Sequence, residues 1–222
     1  DGMTMTAARA YPVPDGSFAG KVILLTDGAD PVSRGLAAAF AELGGDVFIA
    51  ADGERAAAGF ESVGRPVDIL VNCIWQKTLV PAENIPLAQA RSVMSRLFDT
   101  AFDYSTEFAR RRQLARGGGS ILMLTEAVEL GLPGSSVTAA ASAALQNLAR
   151  SLAVEWAEDA IRCNVIATGM IEGRDDPAFE LAEQRGIHPG DTVPLGRIGT
   201  VDDVVAAALY LCSAYGVYFS GT

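Results

Sequence analysis

Histidine, cysteine and basic residues are scarce in this chain. Its 222 residues include one histidine, three cysteines and 17 lysines and arginines, against 27 aspartates and glutamates, so the net charge is −10. An acidic chain with few cations lacks the basic surface that nucleic acids and anionic membranes require in a partner. The sequence has no apolar run of membrane-spanning length and no signal-type leader, so we expect a cytoplasmic protein.

The cysteines and the histidine do not form a metal-binding or nucleophilic pattern. Cys73, Cys163 and Cys212 are far apart, and the last two lie in apolar segments. We therefore expect buried, reduced thiols, as is usual in the cytoplasm. His188 lies in a loop beside Pro189 with no acidic or cysteine neighbour, so we expect it at the surface and predict no metal site.

One basic cluster is present, Arg110–Arg112, shortly before Gly117–Gly119. Cations at the end of a helix interact favourably with the helix dipole. We interpret the cluster as a solvated helix end.

Apolar runs and helical periodicity alternate along the chain. Short apolar runs predict strands at 21–26, 46–51, 68–72, 119–125 and 161–167. Helical spacing predicts helices at 33–43, 87–114 (in one or two parts), 136–159 and 201–214. Such alternation gives a parallel sheet covered on both faces, with right-handed crossovers. The predicted fold class is therefore α/β, a single Rossmann-type doubly wound domain at 20–222 that follows an irregular N-terminal arm at 1–19.

Several segments together resemble the short-chain dehydrogenase/reductase family. The run 143–155 followed by Ile161–Asn164 resembles its catalytic helix and the next strand. Further segments resemble its opening, its central strand and its late loop and helix, namely Phe18–Val22, Asp68–Asn72, Pro194–Gly199 and Asp202–Val204. The resemblance covers nearly the whole chain, and the order and spacing of the segments carry it. It implies the fold of an NAD-dependent oxidoreductase.

The catalytic residues that the resemblance implies are all replaced. The family's Tyr-x-x-x-Lys pair falls on Thr138 and Ser142, and its catalytic Ser falls near Glu126. Its helical Asn falls near Arg96 or Leu97. An aliphatic alcohol is too weak an acid at neutral pH to replace the tyrosine, and Ser142 carries no charge to assist it. We expect Glu126 to be solvated or ion-paired, with a new general base as the alternative.

The glycine-rich dinucleotide motif of the family is degenerate here. Its three glycines fall on Asp27, Pro31 and Ser33. Glycines in that turn let backbone N–H groups approach the pyrophosphate, whereas Pro31 has no N–H. A carboxylate about 5 Å from a phosphate charge costs roughly 3 kcal/mol at an effective dielectric near 20. We therefore expect no bound cofactor on this chain and interpret Asp30 and Ser33 as helix-capping residues, although Gly28 leaves room for a different turn.

Three residues are candidates for residual cofactor contacts: Asn72, Asp52 and Gly169. Asp52 follows the second strand close to the place of an NAD-selecting acid, with an ordinary turn residue as the alternative. Asn72 opens a segment where the family has N-N-A-G and this chain has Trp75 in place of the glycine. The Trp75 ring either fills the volume of the nicotinamide ribose or packs outward at an interface.

Two parts of the sequence are short for the family. Between Ala51 and Asp68 there is no room for the usual helix, strand and second helix, and the sequence reaches Ser220–Thr222 where the last strand normally begins. We predict that the third-strand region and the last strand are shortened or missing, either by deletion or by omission of disordered parts.

The retained fold of the family and the replacement of its catalytic residues together predict a non-catalytic subunit. In this family two long helices, here 88–113 and 136–159, pack against the same pair of another subunit. We predict a heterodimer or heterotetramer with a catalytically complete member, which would hold NAD and act on a secondary alcohol, for example a β-hydroxyacyl-CoA in aromatic degradation. The alternatives are an atypical oxidoreductase with a displaced active site and a ligand-binding or regulatory protein that uses the vacated cleft.

Overall fold

A parallel five-stranded sheet forms the centre of the molecule. The computed structural model describes residues 11–127 and 132–222. The strands are β1 (Val22–Leu25), β2 (Asp46–Ile49), β3 (Ile69–Asn72), β4 (Gly119–Glu126) and β5 (Ile161–Thr168). Their order in the sheet is β2-β1-β3-β4-β5, and each neighbouring pair is parallel. The predicted doubly wound α/β class is confirmed.

Seven α-helices in the described part of the chain connect and cover the strands. They are α1 (Pro31–Glu42), α2 (Ala56–Val63), α3 (Leu87–Met94), α4 (Thr100–Leu114), α5 (Ser136–Glu155), α6 (Pro177–Gln184) and α7 (Val201–Cys212). A π-helical turn at Ser95–Asp99 joins α3 to α4, so the long helix predicted at 87–114 is continuous but changes its hydrogen bonding in the middle.

The sequence did not predict α2 or α6. The Arg55 side chain does not cap α2, and the carboxylate that accepts from Ala56 N is that of Asp103, 47 residues away, so the local sequence gives no signal at this N-terminus. In contrast, Asp176 caps α6 and Pro177 occupies its first turn. A capping aspartate followed by proline is a recognisable helix start, and α6 could have been found from it.

The strands are buried on both faces of the sheet. Alternate residues of β1 face opposite sides, so Leu24 packs with α2, α4 and α5 whereas Ile23 packs with α1 and α7. Complete burial of an aliphatic side chain stabilises the fold by about 1.5–3 kcal/mol. The irregular segment 11–19 packs on the same face of the sheet as α1 and α7. Val13 and Phe18 are buried there, and the Phe18 ring lies 4.9 Å from that of Phe40.

The interval between β2 and β3 is short in the structure as well. Only α2 lies between β2 and β3, and β2 is an edge strand of the described sheet. At the other edge, Gly221 N donates to the Cys163 carbonyl and Val165 N donates to the Thr222 carbonyl, both at 2.7 Å. Residues 221–222 therefore begin to pair alongside β5.

The three cysteines are buried and form no disulfide. Burial raises the pKa of the Cys73 thiol to about 11 and that of Cys163 and Cys212 to about 12. The prediction of buried thiols is confirmed. In the part of the chain that the structure describes, no helix is long and apolar enough to cross a membrane.

Candidate functional site

The carboxyl ends of the strands meet at one edge of the sheet, and the candidate residues lie there. The chain order reverses at β1, which has β2 on one side and β3 on the other. In open α/β sheets, ligands bind outside the carboxyl ends of the strands at such a switch point. Asp27, Asn72 and Glu126 come at or directly after the ends of β1, β3 and β4. We therefore expect a ligand cleft at this edge.

The N-terminus of α1 is closed by its own residues. Asp30 accepts a hydrogen bond from Val32 N at 2.9 Å through Oδ1, and Pro31, the first helical residue, has no N–H to offer. Helix N-termini bind phosphate through free amide donors in the first turn. Here one of those donors is missing and another is bound to a carboxylate. The predicted capping role is confirmed for Asp30 and is wrong for Ser33, which is the third residue of α1 and does not cap it.

A buried arginine that was not predicted from the sequence lies at the N-terminus of α1. Arg174 Nε and Nη2 lie 2.8 and 2.9 Å from Asp30 Oδ2 and Oδ1, and Nη1 donates to Thr168 Oγ1 at 3.1 Å. The two charged side chains are 1% and 4% exposed. The guanidinium also lies over the Trp75 ring, 3.9 Å from its centroid, which adds a cation–π contact. Trp75 thus packs against the Arg174 guanidinium at this edge of the sheet.

The residues at this edge do not fit a dinucleotide pyrophosphate. Asp27 Oδ1 accepts a hydrogen bond from Ala29 N at 2.7 Å and holds the turn in its present form. A Cβ on Gly28 would lie 3.0 Å from Ile49, so this glycine permits packing against β2 and is explained without a ligand. Ser33 is completely buried in α1. With Asp30 paired to Arg174, the anion-binding end of the cleft already contains an anion and its counterion.

A second buried ion cluster lies where the family's catalytic serine would be. Lys77 Nζ is 2.5 Å from Glu126 Oε1 and 3.1 Å from Asp176 Oδ1. The three side chains are 4%, 10% and 1% exposed. Arg174 and Asp176 are both in the connection from β5 to α6, so the two clusters together fix that connection across the cleft. Glu126 is therefore ion-paired, as expected, and its partner Lys77 was not predicted.

Burial raises the pKa of Glu126 above its ordinary value, and the Asp176 carboxylate adds to this effect, whereas Lys77 opposes it. Because the folded-state pKa lies above the unfolded value of 4.5, the stability from this group is complete below about pH 4.5 and is lost as the pH rises through the folded pKa. We expect Glu126→Gln to remove this decline. Urea unfolding from about pH 4.5 to about pH 8 measures it.

Glu107→Gln is the matched control for this prediction. Hydrogen bonding to Arg111 lowers the pKa of Glu107, so its contribution is lost only as the pH falls below the ordinary carboxylate range. We expect this variant to keep the wild-type decline above about pH 4.5. An identical decline in Glu126→Gln and wild type would contradict the role assigned to Glu126.

The positions that correspond to the Tyr-x-x-x-Lys pair are enclosed. Thr138 and Ser142 are buried, and Thr138 Oγ1 accepts a hydrogen bond from Thr78 N at 3.3 Å. The cavity that both residues line together with Trp75 has a volume of about 10 Å³. A space of this size holds at most one water molecule. The cavity that these two residues line is thus too small for a substrate.

The structure does not bring the three residual candidates together. Asn72 Nδ2 donates to Ser105 Oγ at 3.0 Å in the core, and Asp52 pairs with Arg96 at 2.7 Å on the surface. Gly169 instead lines a separate cavity at the end of β5. His188 is exposed, as predicted, and its Nδ1 accepts a hydrogen bond from Gly190 N. No group of three potential metal ligands occurs among the residues described.

One larger cavity lies at the carboxyl ends of β4 and β5, beneath α6. Its volume is about 380 Å³. The apolar part of its wall includes Leu132, Met170, Leu181, Ile187 and Val193, and Lys77 and Glu126 supply a polar side. An apolar cavity of this size with a few polar groups is typical of a small-molecule site.

Comparisons with known proteins identify relatives along most of the chain. A family model described as enoyl-(acyl carrier protein) reductase matches residues 22–222. An uncharacterized oxidoreductase of Caenorhabditis elegans is 27% identical over 96% of this chain and 80% of its own length. Galactitol 2-dehydrogenase of Cereibacter sphaeroides is 33% identical over 83% and 73%. Two tropinone reductase homologues of Arabidopsis thaliana are matched over only 59% and 58% of their length.

A solved structure shares the fold. A protein of Beutenbergia cavernae, provisionally named an NAD(P)-dependent gluconate 5-dehydrogenase and crystallised with NADP at low occupancy, superposes with a TM-score of 0.82. It is 25% identical, and the match covers 94% of this chain and 95% of that one.

Proposed function

This chain belongs to the short-chain dehydrogenase/reductase family, and we propose that within it the chain is a non-catalytic subunit of a heteromeric oxidoreductase. It would bind no nucleotide and would pair with a catalytically complete member, which holds NAD. A secondary alcohol, such as a β-hydroxyacyl-CoA of aromatic degradation, would be the substrate of that partner.

The observation that carries this proposal is the Arg174–Asp30 pair at the N-terminus of α1. Displacing Arg174 to admit a pyrophosphate would leave Asp30 buried without a counterion, beside a second negative charge. Breaking a buried ion pair in this way costs about 3–5 kcal/mol. An equal loss of binding energy weakens a complex by roughly two to four decades. Nucleotide binding by this chain is therefore unfavourable even before the absence of the tyrosine and lysine is considered.

The exposed surface of α5 supports pairing with another subunit. Most exposed side chains on this surface are small, namely Ser136, Ala140, Ala143, Asn147 and Ser151, whereas Arg150 and Val154 are larger and also exposed. Small residues let two helix backbones approach closely. On the neighbouring α4, Phe102 is 45% exposed, and its ring stacks on that of Phe98 at 6.2 Å. Helices α4 and α5 thus offer a flat surface with an aromatic residue beside it.

Native mass spectrometry of the complex purified from its own cells tests the proposal. We expect a mixed assembly in which the bound cofactor mass corresponds to the number of partner chains alone. A homo-oligomer with one nucleotide per chain would overturn the proposal. So would micromolar binding of NADH or NADPH to the isolated chain, measured by calorimetry.

The interface is tested separately by a substitution on α5. Ala143→Arg places a long cation on the small-residue surface, and we expect at least a tenfold weaker association with the partner, or about 1.4 kcal/mol. Ala58→Arg is the matched control because Ala58 is equally exposed but lies on α2. Both variants should unfold at the wild-type urea midpoint. Equal retention of the partner by both variants would exclude this surface.

The cavity beneath α6 favours a second candidate function, ligand binding without redox chemistry. Its apolar wall and its polar side at Lys77 and Glu126 suit an apolar molecule with one polar group, and acyl-CoA thioesters are the first compounds to test. Because Trp75 and Glu126 line the same small adjoining cavity, ligand binding should change Trp75 fluorescence. Trp75→Phe, which leaves Trp156 as the only tryptophan, gives the background. No saturable change with any compound would remove this candidate.

A further inference from the structure

A separate basic crevice lies at the opposite, amino-terminal edge of the sheet. It is formed by the starts of β3, β4 and β5, the end of α7 and the turn before β1. Its volume is about 320 Å³. The charged residues that line it are Lys21, Asp68, Arg112 and Arg162. Three cations and one anion leave a net charge of +2 in a chain whose overall charge is −10.

Asp68 neutralises only one of the three cations. Its Oδ1 accepts from Arg112 Nη1 at 3.2 Å, and its Oδ2 accepts from Val22 N at 3.0 Å. Arg112 also donates to the carbonyls of Val67 and Gly117. The interpretation of Arg110–Arg112 as a solvated helix end is therefore wrong for Arg112, whose side chain is 13% exposed and turned toward the sheet.

Arg162 and Lys21 have no carboxylate partner in the part of the chain that the structure describes. Arg162 Nη1 donates to the carbonyls of Gly216 and Phe219 at 3.0 and 3.1 Å, which satisfies hydrogen bonds but not the charge. Burial accordingly lowers the pKa of Arg162. A half-buried guanidinium without a counterion is unfavourable by itself and is stabilised by any anion that enters the crevice.

We propose that the crevice lined by Lys21, Arg112 and Arg162 binds a phosphate group, either free phosphate or the phosphate of a small molecule. A phosphate carries close to two negative charges at neutral pH, which matches the excess charge of the crevice. Arginine presents a planar fork of donors that suits phosphate oxygens, and lysine adds a point charge. The site is at the far edge of the sheet from the cleft, so it is independent of the proposed subunit role.

Gly118, which lines the crevice, is required by packing within the protein, because a Cβ there would lie 2.6 Å from the Ala160 carbonyl oxygen. This glycine is thus explained without a ligand, as Gly28 is.

Calorimetry of the full chain with inorganic phosphate, and in a second series with glycerol 3-phosphate, tests the proposal. We expect saturable binding of at least one of them, together with a higher Tm in phosphate than in chloride at equal ionic strength, a difference that Lys21→Gln reduces because the general stabilising effect of phosphate acts on both proteins alike. The chloride reference is needed because salt alone reduces self-repulsion in an acidic chain. Binding in the second series alone would identify the phosphate of a small molecule, and binding in the first would identify free phosphate.

Variants locate the site. We expect Lys21→Gln and Arg162→Gln each to weaken phosphate binding at least tenfold. Arg162→Gln keeps a donor for the two carbonyls, and Lys21 is exposed, so the Lys21 variant folds even where the other does not. Arg91→Gln, an exposed arginine on α3, is the matched control and should bind like wild type. Absence of phosphate-specific binding, or equal binding by all three variants, would overturn the proposal.

Discussion

Arg174→Met should lower the free energy of unfolding by about 3–5 kcal/mol, one of the two largest effects expected in this molecule. The substitution keeps the length of the side chain but removes both bonds to Asp30, the bond to Thr168 and the contact with the Trp75 ring. The remaining Asp30 carboxylate is 4% exposed and cannot regain its water. Urea unfolding at neutral pH measures the loss.

Two further variants separate the charge from the packing. In Arg174→Met combined with Asp30→Asn, the buried charge is gone and asparagine still caps α1, so most of the loss should be recovered. Arg96→Met breaks the exposed pair with Asp52 and should cost no more than about 1 kcal/mol. A loss in Arg174→Met as small as that in Arg96→Met would contradict the assignment of a buried, essential pair.

Lys77→Met should have an effect of similar size, about 3–5 kcal/mol at neutral pH, because it removes the cation that is paired with the carboxylates of both Glu126 and Asp176. The loss should become smaller as the pH is lowered. Burial already raises the pKa of Glu126, and removing Lys77 removes the main effect that lowers it, so the carboxylate takes up a proton more readily. Unfolding of wild type and variant over a pH series gives both results.

A double variant of the ion pair supplies the control. Lys77→Met combined with Glu126→Gln removes one of the two unpaired charges, so it should be more stable than Lys77→Met alone at neutral pH and should differ little from it at low pH. If the two variants lost the same stability at every pH, the Glu126 charge would carry no cost in the absence of Lys77, and this account of the cluster would fail.

Patterns within short stretches of sequence predicted most of the framework. The apolar strand runs placed all five strands to within a few residues, because burial on both faces of a parallel sheet requires continuous apolar segments. The capping role of Asp30 was equally local, since a side chain reaches an amide two residues away. The shortness of the segment between β2 and β3 was also predictable from the sequence, because it has too few residues for a helix, a strand and a second helix.

The partners of the buried charges were not predictable in this way. Asp30 and Arg174 are 144 residues apart, and nothing in the neighbourhood of either residue specifies the other. Lys77 and Glu126 meet only because β3 and β4 are adjacent and parallel, so that the segments after them reach the same edge. The inward turn of Arg112 depended likewise on Asp68 at the start of a neighbouring strand.

The sequence by itself thus determined the fold, the burial of the thiols and the capping of α1 by Asp30. These features follow from residue type and spacing along the chain. The tertiary structure alone decided which charges pair at the carboxyl ends of the strands, because the sheet brings the ends of distant strands within hydrogen-bonding distance. A charge buried there requires a counterion, and the folded chain supplies it from Arg174 and Lys77.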